Sequence, residues 1–468
     1  SFLQLTHWQS PHFHAYFPAL TSYPSILGEM LSCTFNNIGF TWASSPAATE
    51  LESLVMDWLG KMIGLPDEFF HSTPTSNGGG VIQTTLSETT LVTMFAAKKE
   101  AVTRYLETNP GSNPGNAYGK LVAYASDQAH SSVLKGTMIA SVMFRLVESN
   151  PGDFKMKAST LQALVNADKA AGLIPFYVVA SLGSTGVCSF DDLSEIGPIC
   201  KKEKLWLHVD AAYAGSFLVC PEFRYLINGI ENADSFAFNP SKNLLVNFDC
   251  TAMWIRDRAY LHRAFDVDPL YLKHANTAGN REFLQHWQVQ LSRRFRSLKL
   301  WFVIRNYGIE GIQKMLRKQI ELAKLFENLV RSESIFEIPA KRHLALIVFR
   351  LKGMENEMTE ILLRRMNACE KMHCVPTSLQ KKFVIRFCVT SHRTTEEDIR
   401  KDFALIKSLA HELLVETDHG KRRPRLSFSA SPNAETSAKR RSSLSQNEAL
   451  NWSATMEQEG TKDERKMA

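Results

Sequence analysis

From near Ala47, apolar residues recur at helical spacing through TELESLVMDWLGKMIGL, which predicts an amphipathic helix. From there to about residue 260 the pattern changes. Short apolar runs (KLVAYAS, PFYVVAS, KLWLHVD and TAMWIRD) have the length and residue types of strands, and helical stretches separate them. That alternation predicts an α/β domain built on a largely parallel sheet. After RRFRSLKLWFVIRNYG comes a long helical pattern, then two strands within EIPAKRHLALIVFRLKG and FVIRFCVTSH, and a last helix through DIRKDFALIKSLAHELL. This second series suits a smaller α+β domain.

The expected organisation is an N-terminal segment over 1–23, a large domain over 24–298, a small C-terminal domain over 299–415 and a tail over 416–468. The first forty residues are rich in aromatics and Pro. The tail, with KRRPRLSFSASPNAETSAKRRSSLSQNEAL, is rich in Ser and charge and poor in aliphatics, so it is expected to be disordered. Its run Lys439, Arg440, Arg441, Ser442, Ser443 suits a basophilic kinase, although a solvated tail without a role has the same composition. There is no internal repeat.

Composition narrows the function classes. The chain of 468 residues is 44% hydrophobic and 22% charged, as in ordinary globular proteins. Its longest apolar runs, such as LIPFYVVASL, are about half the roughly 20 residues of a membrane span, so no membrane span is expected. Of the net charge of +6, residues 419–468 carry +4, which leaves the main body nearly balanced. Without a basic stripe interleaved with aromatics, no nucleic-acid partner is expected. The eight cysteines have no CxxC pairs or metal-ligand spacing, which predicts reduced thiols in a cytoplasmic protein and no metal. Ser1 opens the sequence in place of Met, so the natural N-terminus is expected upstream.

Ligands in open α/β sheets bind beyond the carboxyl ends of the strands, which directs attention to strand-end residues. In SFAFNPSKNLLVNFDC, Lys242 follows an Asn-Pro-Ser turn and precedes an apolar run. A turn lysine is ordinarily a solvated charge, but a desolvated one has a lowered pKa and can form a Schiff base with a carbonyl cofactor. In LWLHVDAAYAG, Leu205, Leu207 and Val209 alternate along a strand that ends in Asp210, which is either a turn former or an anion for a cationic ring nitrogen. In SDQAHSSVLKG, His130 is either a satisfied polar residue or a catalytic one. In GGGVIQTTLSETTLVTMF, Gly78, Gly79 and Gly80 permit close backbone approach. Thr85 and Glu88 form a capping-box pattern there, and the helix start with its Thr85 and Ser87 hydroxyls could take a phosphate. Taken together, these features read as a pyridoxal 5'-phosphate site with Lys242 on the aldehyde and Asp210 on the ring nitrogen. His130 would lie on the ring, and the Thr85–Ser87 turn on the phosphate.

The stretches HWQSPHFHAYFPA, GFTWASSPAATELE, SDQAHSSVLKG, HVDAAYAGS, FNPSK and HWQVQLSRRFRSLKLWFVIRNYG together resemble the group II pyridoxal-phosphate decarboxylases of aromatic amino acids and histidine, over about residues 1 to 415. The resemblance implies a fold-type I PLP-dependent transferase-like large domain with a mainly parallel sheet, a smaller C-terminal α+β domain, and a homodimer with active sites at the interface. It makes Lys242 the Schiff-base lysine, Asp210 the ring-nitrogen partner, His130 the ring-stacking group and Tyr271 the acid that protonates the α-carbon. It places Thr185 and Ala212 against the ring, with Leu86, Ser87, Asn239 and Ser241 near the phosphate. Trp8, Tyr16, Phe17 and Pro18 would line the amino-acid pocket, which Phe40 and Leu291 would reach from the partner subunit.

Three motifs, YLKHAN, LSRRFRS and FEIPAKRHLALIVFRLKG, are most similar to the members acting on histidine, so decarboxylation of histidine is expected. The alternatives are dopa or 5-hydroxytryptophan as substrate, or a catalytically weak dimeric homologue. Ser292 is serine in the histidine enzymes and glycine in those acting on dopa, and its hydroxyl suits an imidazole nitrogen; otherwise it caps the helix that follows. The sequence departs from the family at Asn243, where tryptophan is usual, and at Gln290, where proline is usual, in a loop one residue longer than expected.

Overall fold

The computed structural model describes residues 5–267 and 284–419. Seven strands form the larger sheet: β1 (Gly79–Gln83), β2 (Leu121–Ser126), β3 (Met143–Val147), β4 (Ile174–Ser181), β5 (Trp206–Asp210), β6 (Ser235–Phe238) and β7 (Thr251–Ile255). Their order is β1-β7-β6-β5-β4-β2-β3. From β6 to β3 every neighbouring pair is parallel, whereas β7 runs antiparallel to both β6 and β1. β2, β4 to β7 and β1 are buried along nearly their whole length because helices cover the sheet, so they read as continuous apolar runs. The alternation in LWLHVD is therefore not a solvent-facing pattern: His208 is buried too, bonded to the Ser235 hydroxyl at 2.8 Å, and burial pushes its pKa down to about 3.

The Leu86–Thr108 helix packs on β4, β5 and β6. Its threonines are indifferent helix formers, yet Thr90 and Thr93 are buried. Their hydroxyls donate to the carbonyls of Leu86 and Thr89, which satisfies them without leaving the helix. The preceding glycines do allow close approach, but to the protein itself. Gly79 and Gly80 belong to β1, where a Cβ would run into His71 and into Met56 and Trp254 respectively, while Gly78 abuts the Glu68 carbonyl.

The smaller sheet holds β8 (Phe336–Glu337), β9 (Leu346–Leu351), β10 (Val375–Leu379) and β11 (Lys382–Cys388), all antiparallel in the order β10-β11-β9-β8. The Ser297–Ser332 helix, broken at Gly308 (φ 63, ψ 177), packs on the Pro46–Ile63 helix and on β8 and β9, and so links the two sheets. The described residues up to Ala410 form one compact unit, and those from His411 on, at the end of the Glu396–His419 helix, belong to a second.

Candidate active site

The carboxyl ends of β1, β2, β4, β5 and β6 deliver Thr85, His130, Ser181, Asp210 and Asn239 to one cavity. A short helical turn, Pro240–Asn243, follows β6 and brings Lys242 into the same cavity. Proline at its first position presets the turn, so Lys242 projects from a fixed backbone. Lys242 keeps some open surface, yet burial is the main influence on its amine and lowers its pKa; nearby Arg386 adds to this and Asp210 opposes it. The amine lies 5.6 Å from the Phe17 ring centroid, and Phe17 stacks on Tyr213 at 3.8 Å.

Asp210 is buried, with one carboxylate oxygen accepting from the Ala212 amide at 2.9 Å. Burial raises its pKa, while that hydrogen bond, Lys242 and His130 pull the other way. A buried carboxylate with so little solvation is a strong partner for a cationic ring nitrogen. His130 is the N-cap of the Ser131–Ala140 helix, its Nδ1 accepting from the Ser132 amide at 3.2 Å. The proton of the neutral ring is therefore on Nε2. Its surroundings, burial first, lower its pKa and favour that neutral form.

The rest of the wall is rich in hydroxyls: Thr85, Ser87, Ser132, Ser181, Ser184 and Thr185. Thr85 caps the 23-residue Leu86–Thr108 helix by accepting from the Glu88 amide. The expected capping box is displaced by one residue, because the Glu88 carboxylate accepts from the Thr84 amide and hydroxyl. The Leu86 and Ser87 amides at this helix start lack intrahelical acceptors, so with the Ser87 hydroxyl they could hold a phosphate without a cation. Among the described residues, the buried Ser181 hydroxyl and the side-chain amide oxygen (Oδ1) of Asn239 have no hydrogen-bond partner. Unpaired polar atoms, a lysine of lowered pKa and a buried carboxylate in one cavity fit a phosphorylated aromatic aldehyde.

The model of the pyridoxal-dependent decarboxylase conserved domain matches residues 2–352. The chain belongs to the pyridoxal-dependent decarboxylase family. It is 55% identical over 412 residues to the histidine decarboxylase of Drosophila melanogaster, covering 88% of this chain and 48% of that protein, so the chain spans about half the length of that relative. Its identity to the aromatic-L-amino-acid decarboxylase of Sus scrofa is 52% over 412 residues, covering 88% and 84% of the two. Among solved structures it resembles the crystal structure of Oryza sativa TDC with PLP and tryptamine, with a TM-score of 0.84, 37% identity, and coverage of 87% of this chain and 85% of that one.

In this cavity the fold brings together Lys242, Asp210, His130, Leu86, Ser87, Thr185, Ala212, Asn239 and Phe17, all singled out in the sequence. Ser241 is not in its lining: its hydroxyl donates to the Cys250 carbonyl at 3.1 Å. Pro18 is buried beside Phe17, whereas Trp8 and Tyr16 stack on each other at 5.8 Å and are both exposed. Tyr271 lies outside the described residues. Phe40 and Leu291 do not line the cavity, and Ser292 lines a different cleft with Asn36, Ile38, Thr84 and Glu88. Nor does Ser292 cap the next helix, which starts at Ser297 with Arg296 as N-cap. Asn243 is fully buried and its amide donates to Gln319 at 3.2 Å, so a polar contact occupies the site of the family's tryptophan.

Sequence reasoning missed Ser132, Ser181, Gly183, Ser184, Tyr213 and Phe248 in the lining. Ser181 was findable, since it ends β4 directly opposite Asp210 in the register. Arg386 was not: it is buried, its guanidinium 4.9 Å from the Phe17 ring, and it comes from β11, more than a hundred residues away in the chain.

Proposed function

We propose that the chain decarboxylates L-histidine to histamine and carbon dioxide with pyridoxal phosphate bound in the Lys242 cavity. The observation that carries the reaction is the convergence of a Lys242 amine of lowered pKa, the buried Asp210 carboxylate and the His130 ring on one hydroxyl-lined cavity. Similarity to histidine decarboxylase carries the substrate. When bound, the cofactor supplies an aldehyde for the lysine and an electron-poor ring able to take up the electron pair left by carbon dioxide.

The chain's own residues do the rest. Lys242 offers an Nζ whose lowered pKa favours the unprotonated form that attacks a carbonyl. Asp210 holds a proton on the ring nitrogen by charge in a poorly solvated site. His130, neutral with its proton on Nε2, covers the ring without adding a competing charge. Ser87, Asn239 and the helix start hold the phosphate, and Phe17 shields the lysine from water. Tyr271 is proposed as the acid that returns a proton to the α-carbon.

A second copy is proposed to complete the site. The Tyr23–Phe35 helix exposes Tyr23, Leu27, Met30 and Phe35 at 53–78%, and Ile38 and Val289 add further open apolar surface. Such a surface on one chain suits an interface. A cytoplasmic location is proposed, in keeping with eight free cysteines and with no described helix long and apolar enough to cross a membrane.

Incubating the purified protein with pyridoxal phosphate and a panel of amino acids tests the reading. Histamine is expected as the main amine. Dopamine or serotonin in its place would establish the second reading, aromatic amino acids as substrates, which the 52% identity to an aromatic-L-amino-acid decarboxylase favours. Cofactor bound with no amine formed would establish a catalytically weak homologue.

A further inference from the structure

We propose that Asp402 clasps His12 and His14 to hold Phe17 over the Lys242 amine, making all three positioning residues for the amino-acid half of the cavity. The proposal rests on the reading of that cavity as the active site. His12 Nδ1 donates to one oxygen of the Asp402 carboxylate at 2.8 Å, and His14 Nε2 donates to the other at 2.7 Å. Asp402 and His14 are 3% and 1% exposed, so their bond is shielded from competing water, while His12 closes the outer side of the carboxylate with its own side chain 31% exposed.

The clasped segment is tied further to the small sheet. The His14 amide donates to the His373 carbonyl at 2.9 Å and the Cys388 amide to the His14 carbonyl at 3.1 Å, while the His14 ring stacks on Phe387 at 3.8 Å. Three residues after His14 the chain reaches Phe17, which has no hydrogen-bonding side chain to fix it. Its ring is set by Tyr213 at 3.8 Å, by the Arg386 guanidinium at 4.9 Å and by the backbone on either side of it. On the far side the Leu20 amide donates to the Ser241 carbonyl at 3.0 Å, next to Lys242 itself. The segment from His14 to Leu20 is thus a short span anchored at both ends, and Asp402 is the buried charge of the remote anchor. Two imidazoles on one carboxylate fix direction as well as distance, which an apolar contact would not do.

Hydrogen exchange on the cofactor-free protein and kinetics on the loaded one test this with Asp402→Ala, and with His12→Ala as the milder variant should the first fail to fold. Deuterium uptake in peptides covering residues 9–20 should rise in either variant, with the sheet peptides unchanged. KM for histidine should rise roughly tenfold while kcat stays within about twofold, since a displaced Phe17 alters binding more than the chemical step. Loss of general stability alone would raise exchange across the whole fold and leave KM in place. Unchanged uptake over residues 15–20 together with an unchanged KM, in folded protein that binds cofactor, would overturn the proposal. If no amino acid is decarboxylated, the proposed function fails, while the exchange measurement still decides the clasp.

Discussion

Lys242 and Asp210 oppose each other's burial, and each can be tested alone. Borohydride reduction of the loaded protein should fix the cofactor's mass on one peptide, the one containing Lys242; a label on another lysine would refute the role. Asp210→Asn should keep the fold and lose on the order of 3 kcal/mol or more of transition-state stabilisation, since an amide cannot hold a ring proton by charge. Near-normal turnover would exclude that role. The lysine also affects stability. Its folded pKa is lowered from 10.5, so between the folded and unfolded values the unfolded chain binds the extra proton. The cost to the folded state is greatest below the folded pKa and fades as pH rises towards 10.5. The difference in urea midpoint between cofactor-free Lys242→Met and the parent should therefore move in the parent's favour as pH rises from 7 towards 10.5, and a difference independent of pH would show that the lysine carries no such cost. At this scale the sequence was most legible where a side chain ends a strand, as Asp210 does, and least legible where a residue such as Arg386 arrives from another sheet to pack on the wall residue Phe17.

At the scale of elements, the two sheets and their long helix followed from apolar patterning, and the strands KLVAYAS, PFYVVAS, KLWLHVD and TAMWIRD appear as β2, β4, β5 and β7. β1, β3, β6, β8 and β10 escaped that reading for physical reasons: β3 and β10 are partly buried sheet edges and β8 has two residues. The glycines of β1 suggest a loop, and they are tolerated in a strand because Met56, His71 and Trp254 crowd its backbone; β6 has only four residues. β1 is held by an ion pair that the pattern does not reveal. Glu52 of the Pro46–Ile63 helix accepts from the Ile82 amide at 2.8 Å and from the Arg293 guanidinium, and both charged residues are buried. Breaking such a pair leaves a buried charge without its partner, so Arg293→Leu should cost about 3 to 5 kcal/mol. Thermal or urea unfolding of the variant measures it; a change below about 1 kcal/mol would show that the pair contributes little beyond a surface bridge.

For the whole molecule, the proposed dimer gives Ser292 a role that it does not have within its own chain. It lines a cleft with Asn36, Ile38, Thr84 and Glu88, separate from the Lys242 cavity, and it caps no helix, so an effect on substrate choice requires the neighbouring copy. Ser292→Gly should then shift preference from histidine towards dopa, because a hydroxyl paired to an imidazole nitrogen discriminates by about 1–3 kcal/mol when the pairing is lost. Mixed dimers separate the two routes. Combine chains carrying Ser292→Gly with chains carrying Lys242→Ala, which retain Ser292 but have no amine. In a hybrid the only working lysine belongs to the Ser292→Gly chain, while the partner contributes an intact Ser292. If the serine acts across the interface, mixing restores the histidine preference that the Ser292→Gly homodimer lacks. If it acts within its own chain, mixing leaves the altered preference in place and the proposed shared site is wrong.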